Sequence, residues 1–344
     1  MSGYFRTSYL QDTALLDTRA QKAWFGAFAI ALCTYPFLAG PLWLDLGNQV
    51  LLASIGAVAL MLLTGYAGQI SLGHAGLLAA GAFTTGILSK EFGASPWLTL
   101  PASAAVGAVL GLIFGLPSLR LRGLYLAVST LALHFIVIFL GGEYETRRGF
   151  STGIVIEPPI GSARGWYFAL LAAAAITLLI ALNLLRSRTG RAWRAIHGRE
   201  AVAEALGISV QRAKLSAFVV SSSLTALAGC LFAYYRGFVS AEAFSLYLTI
   251  QYVAMIIIGG MGSILGAVLG TVFVVLFPYA IDGGMALVGL SERLSSVVFA
   301  VNYSAFGLVM ILFLVFEPQG LVGLWRRVQN WFLLWPFKQG PLLK

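Results

Sequence analysis

The 344 residues are 59% hydrophobic and only 10% charged, with 22 Lys and Arg against 13 Asp and Glu and a mean hydropathy of +0.88. A soluble domain carries about 25% charged residues, so this composition excludes a soluble enzyme and points to an integral membrane protein. The net charge of +9 does not indicate a nucleic-acid partner, because the basic residues sit at the ends of apolar segments, where they set topology.

Residues 1–21 are polar and mixed in charge, and the first apolar run begins only near Ala23. A signal peptide places its apolar core sooner, so segment 1, about 23–44, is expected to be retained. Segments 2 and 3, about 49–64 and 74–89, are short and are joined by GYAGQISLGHAG. Segment 4 covers 97–116, and LRLRG at 119–123 separates it from segment 5, about 124–141. A polar loop carrying Glu143, Glu145, Arg147 and Arg148 leads to segment 6, about 166–185. After a basic stretch, segment 7 spans about 215–235, and segments 8 and 9, about 248–258 and 264–280, are again short and joined by IGGMGS. A polar link at 282–293 precedes segment 10, about 295–316. The chain then closes with FEPQGLVGLWRR and a tail whose Trp325, Trp331 and Trp335 suit a headgroup-level belt.

The expected fold is therefore all-α, a polytopic bundle of about ten membrane segments in one permease domain. Most Lys and Arg, including Arg120, Arg122, Arg326 and Arg327, fall on the side that holds both termini, which the positive-inside rule makes cytoplasmic. Parity would be the same if the short segments were re-entrant hairpins. The pairs 2/3 and 8/9 look like equivalent parts of two internal repeats, and transporters built from repeats place broken helices at such positions. Non-helical backbone at membrane depth either lines a path or is buried in protein, and glycines also serve tight helix crossings. With Gln69, Ser71 and His74 in the first link and Gly259, Gly260, Gly262 and Ser263 in the second, path lining is the favoured expectation.

Residues 186–214 carry seven basic residues, at 186, 188, 191, 194, 199, 212 and 214, between two apolar flanks, and so cannot lie in a bilayer. Composition predicts a helix over 191–206, with Gly207 at its C′ position and Ser209 capping the next helix. Glu200 and Glu204 would share a face, and Val202 with Leu206 would form a small apolar patch. A small apolar knob ringed by charge suits a soluble partner, although a basic loop can also serve topology alone.

Proton- or sodium-coupled transporters need ionisable groups inside the membrane, and only His134 lies near mid-segment. No lysine follows a glycine, so there is no phosphate-cradling P-loop, and no nucleophile, base and orienter occur together. Cys33 and Cys230 fall in apolar runs, where a packed thiol is ordinary and neither disulfide nor metal site follows. A translocation path without its own energy source, together with a docking loop, describes the membrane subunit of an ATP-driven transporter.

From about 45 to 323 the chain resembles the permease subunits of branched-chain amino acid ABC importers, specifically the longer of the two permeases. The likeness rests on TGYAGQISLGHAG, LRLRGLYLAVSTLAL, GRAWRAIHGREAVAEALGI, KLSAFVVSSSLTALAGCLFA, IIGGMGSILGAVLG and FEPQGLVG. It implies a bacterial inner-membrane location, a second and shorter permease, two cytoplasmic ATPase subunits that use the ATP, and a periplasmic binding protein that delivers the solute. It also implies that Glu200, Ala201, Glu204, Ala205 and Gly207 enter a groove of the ATPase. Two departures stand out. His197, Gly198 and Arg199 replace a usual acidic position, which could alter the bend of the loop, and ETRRGFSTGI adds Arg147 and Arg148 where a binding protein would dock. Branched-chain or other neutral amino acids are the first expectation for the solute. Urea, short amides and aromatic acids are alternatives within the family, and a stand-alone channel is the alternative outside it.

Overall fold

The computed structural model describes residues 19–119, 123–150, 153–287, 298–317 and 319–334. The expected N-terminal segment through residue 18, Arg120 and Arg122, residues 151–152 of the outer loop, Glu292 and Arg293, and the tail from Trp335 lie outside these residues.

The described helices are α1 (Arg19–Leu38), α2 (Pro41–Leu60), α3 (His74–Phe92), α4 (Pro96–Ser118), α5 (Leu124–Arg148), α6 (Ala163–Arg186), α7 (Arg188–Gly198), α8 (Glu200–Ala205), α9 (Val210–Arg236), α10 (Leu246–Gly259), α11 (Ile264–Leu287), α12 (Val298–Phe316) and α13 (Gly320–Leu334). A two-residue antiparallel ribbon, β1 (Ile154–Val155) with β2 (Phe238–Val239), closes the end of the bundle opposite the basic loop. Each expected segment overlaps a helix, but segment 1 runs across the break at residues 39–40 into α2. Among the described residues, six helical stretches are long and apolar enough to cross a membrane, and a seventh forms if the bent pair at 302–316 and 320–329 is one span, fewer than the ten segments expected.

The paired segments differ from expectation in length. Only α10, at 14 residues, is short for a span. Segment 2 is part of a 26-residue span, Pro41–Tyr66, whose last turn, Met61–Tyr66, is π-helical. Polar residues 45–49 look like a loop, but they have partners inside the helix. Gln49 donates to Asp45 at 2.7 Å, the Tyr235 hydroxyl also donates to Asp45, and Asn48 donates to the Ala163 carbonyl at 3.3 Å. A polar side chain with a partner costs little in a helix, so hydropathy alone ended this one too early.

At the centre, α9 packs against α4, α3 and α2. The three consecutive serines of α9 divide their work: Ser221 donates to Ala59 O of α2 at 2.7 Å, Ser223 donates to Ala104 O of α4 at 3.0 Å, and Ser222 lies beneath Gly107 and Gly111 of α4. Gly81 of α3 and Gly229 of α9 bring those two backbones equally close. Such small-residue contacts replace the hydrophobic drive that lipid does not supply, and each interhelical hydrogen bond adds about 0.6 kcal/mol. The outer faces of α1, α5 and α12 remain apolar and exposed.

Candidate functional site

The basic loop folds as two helices. Ser187 caps α7 by accepting from Gly190 N at 3.4 Å, and Trp193, fully buried, donates from Nε1 to Ser216 Oγ of α9 at 3.0 Å. Arg194 reaches back to the Leu185 carbonyl at 2.8 Å. The single helix expected over 191–206 is instead broken at Arg199, whose φ of −152° and ψ of 112° are extended. The break falls in the His197, Gly198, Arg199 segment, where the resemblance leads one to expect an altered bend.

Beyond it, α8 ends as the sequence suggests. Gly207, at φ +81°, donates to Glu204 O at 2.9 Å, and Ile208 N donates to Ala203 O at 3.0 Å, the paired bonds of a Schellman motif that only an αL residue allows at low cost. Ser209 holds the N-cap position of α9 without a side-chain cap bond. Val202 is 51% and Leu206 75% exposed, and Ala201, Glu204 and Ala205 are exposed beside them. Glu200 does not share that free face with Glu204; it pairs with Lys214 Nζ at 2.6 Å, and Lys214 is only 7% exposed.

Lys214 also holds the first glycine link through its backbone. Gln69 donates from Nε2 to Lys214 O at 3.0 Å, and the Gln69 carbonyl accepts from Thr64 Oγ1 at 3.0 Å. His197 of α7 lies over Gly68, where a Cβ would come within 2.9 Å of its Nδ1. The two links then meet, because Gly262 N donates to Met61 Sδ at 3.3 Å and Gly65 faces Gly262. The second link is gripped from its other side, since a Cβ on Gly260, at φ +112°, would strike the Gln319 carbonyl at the start of α13. Ser263 caps α11 by accepting from Gly266 N at 3.3 Å.

Gln69, Ser71 and His74 are all buried, and Gln69 Oε1, Ser71 Oγ and His74 Nε2 have no hydrogen-bond partner among the described residues. His134, the mid-segment histidine, is also buried and lies edge-on to Phe135 at 5.3 Å.

At the ribbon end, Arg147 pairs with Glu143 at 2.7 Å and Arg148 with Glu91 at 2.7 Å, and Glu91 also accepts from the Tyr144 hydroxyl. Glu145 turns inward, accepting from Ala241 N at 3.4 Å. Glu143, Arg147 and Arg148 thus form an exposed rim that Glu145 does not join.

A cavity of about 480 Å³ was not apparent from sequence. It lies between α2, α9, α10, α11 and α12, lined by Leu52, Val274, Phe306 and several tyrosines, with Gln49, Arg236, Gln251, Asp282 and Asn302 as its polar groups. Tyr252 belongs to this lining and also touches the first link, its ring 4.7 Å from that of His74 and nested against Gly56. Tyr252 thus connects the cavity lining to the first glycine link.

The family described as the permease component of the branched-chain amino acid transport system matches residues 42–316. The high-affinity branched-chain amino acid permease protein LivM of Salmonella typhimurium is 30% identical, over 90% of this chain and 77% of its own length. A probable LivM of Methanocaldococcus jannaschii is 26% identical over 87% of this chain and 91% of its own, and the autoinducer 2 permease LsrC of Klebsiella pneumoniae is 33% identical over 49% and 51%. No solved structure matches the chain. A multi-pass helical membrane protein matched over this much of its length by a single permease family belongs to that family, the branched-chain amino acid transport permeases.

Proposed function

We propose that this permease forms the translocation path of an ABC importer for neutral amino acids, branched-chain ones first, in the bacterial inner membrane. The exposed face of α8, comprising Ala201, Val202, Glu204, Ala205 and Leu206, docks on one of two cytoplasmic ATPase subunits. The rim of Glu143, Arg147 and Arg148 meets a periplasmic binding protein, and a second, homologous permease completes the membrane unit. Both termini then lie on the cytoplasmic side with the basic loop.

One observation carries the coupling: the docking helix is joined to the first link by the Glu200–Lys214 pair and the Gln69–Lys214 bond. A loop that served only topology would not need a buried lysine at its root. The solute class is supported by the family match and by a cavity that is mostly apolar and aromatic, a poor setting for urea.

The test is leucine uptake by the complete importer in proteoliposomes. Glu204→Lys with Gly207→Val should abolish ATP-driven uptake while membrane abundance stays normal, because the first reverses a charge at the docking face and the second forces a β-branched residue into positive φ. Wild-type uptake in that double variant would remove the coupling assignment. Equilibration of leucine through the permease without any ATPase would favour the channel alternative.

A further inference from the structure

We propose that the cavity is a vestibule for an α-amino acid zwitterion, in which Arg236 receives the carboxylate, Asp282 the ammonium group and the aromatic wall the side chain. This rests on the amino-acid importer reading and adds to it the groups that would recognise the solute.

The volume, about 480 Å³, falls within the range of small-molecule sites, and the lining has their usual character, largely apolar with a few convergent polar groups. Arg236, the last residue of α9, forms no ion pair among the described residues. Its guanidinium lies over the rings of Phe232 at 5.8 Å and Tyr235 at 6.0 Å. Ring stacking fixes the plane of a guanidinium while leaving its N–H edge available, the arrangement that accepts a carboxylate on two bonds. Asp282, from the far end of α11, has one oxygen fixed by Asn302 Nδ2 at 3.1 Å and no other hydrogen-bond partner among the described residues. A carboxylate held on one side and open on the other is suited to an ammonium group.

Much of the remaining lining is aromatic: Tyr247 meets Tyr303 edge-on at 4.6 Å and Phe306 at 6.2 Å, and Leu52 and Val274 add aliphatic surface. An uncharged amide such as urea would leave Arg236 and the apolar wall without a partner, and a site built to bond a group rejects analogues that lack it. Arg236 runs directly into the ribbon through Gly237 and Phe238, which puts the carboxylate-receiving end of the vestibule next to the side where a binding protein would release its cargo. Tyr252, between the cavity and His74, forms its floor.

Saturation-transfer NMR on the complete importer in nanodiscs, without the binding protein, tests the site separately from transport. The probes are leucine, leucinamide, which lacks the carboxylate, and 4-methylpentanoate, which lacks the ammonium group. Leucine should bind best. Arg236→Gln should weaken leucine about tenfold and erase its advantage over leucinamide, and Asp282→Asn should weaken it about tenfold and erase its advantage over 4-methylpentanoate, as expected for loss of one charge-assisted contact. Arg236→Lys should recover part of the loss, which separates recognition from misfolding. If leucine is taken up by the wild type but its binding is absent or indifferent to both substitutions, the vestibule assignment falls and the importer reading stands. If binding follows the expected pattern but no neutral amino acid is taken up, the importer reading falls and the site stands. Absence of both uptake and binding overturns both.

Discussion

The two glycine links touch each other, yet they are held by different parts of the protein. The first, residues 65–76, carries Gln69, Ser71 and His74 and is tied through Lys214 and His197 to the loop that faces solvent. The second, residues 259–263, has little side chain to offer and is pressed between Gly65 on one face and the Gln319 turn of α13 on the other. The contrast separates two uses of glycine. In the second link it permits backbones to touch, which serves packing. In the first it leaves space for His197 of the basic loop, so under the proposed coupling that link would respond when the loop is moved.

Gly259→Val would break the packing side of this contrast and should have the largest effect. A side chain there would collide with the Gly266 carbonyl and force α10 away from α11. Overpacking of this kind costs about 3 kcal/mol or more, so little folded protein should be recovered from membranes by size-exclusion chromatography. Wild-type yield and thermal stability would contradict the close approach.

Lys214→Met would break the responding side. It removes the Glu200–Lys214 ion pair, and because Glu200 is one-third exposed the expected loss is about 1–3 kcal/mol, below that of a fully buried pair. The protein should insert normally, lose thermal stability by several degrees and transport about tenfold more slowly, as expected when misplacement of a coupling element removes roughly 1.4 kcal/mol of useful contact. Adding Glu200→Gln should restore stability without restoring transport. Recovery of both would make the pair a packing feature only.

The smallest perturbation sharpens the comparison. Single cysteines at Ser71 and Ser263, with Cys33 and Cys230 replaced, should each change stability by about 0.5–1 kcal/mol or less. Ser71 is buried and Ser263 half-buried, so a hydrophilic thiol reagent should label position 263 faster in the resting importer. Trapping the ATPase with nucleotide should change labelling at 71 more than at 263. Equal responses would mean that the links move as one body.

Much of this was legible in the residues. Hydropathy located most of the apolar helices, though not α13, and the chemistry of Gly207 located the end of α8, because both signals are local. The ribbon was not legible, since two residues per strand leave no periodicity to detect. The break at Arg199 was missed because every residue from 191 to 206 except Gly198 is compatible with a helix. The cavity was hidden for another reason: Gln49, Arg236, Gln251, Asp282 and Asn302 come from five helices spread over most of the chain. Read singly, Arg236 is a topology charge and Asp282 an acid in a loop, and only packing brings them to one chamber.

The central place of α9 also bears on how the protein is made. Its serines and glycine fill faces on α2, α3 and α4 that are synthesised well over 100 residues earlier, and its far end supplies the second ribbon strand. At ribosomal rates of about 5–20 residues per second, those early helices wait on the order of ten seconds with small-residue grooves unfilled and Ile154 unpaired. The N-terminal half therefore enters the membrane as an open framework, and the arrival of α9 is the event that locks it, which makes this helix the point in biogenesis where a lesion leaves an inserted but unassembled chain for quality control to find.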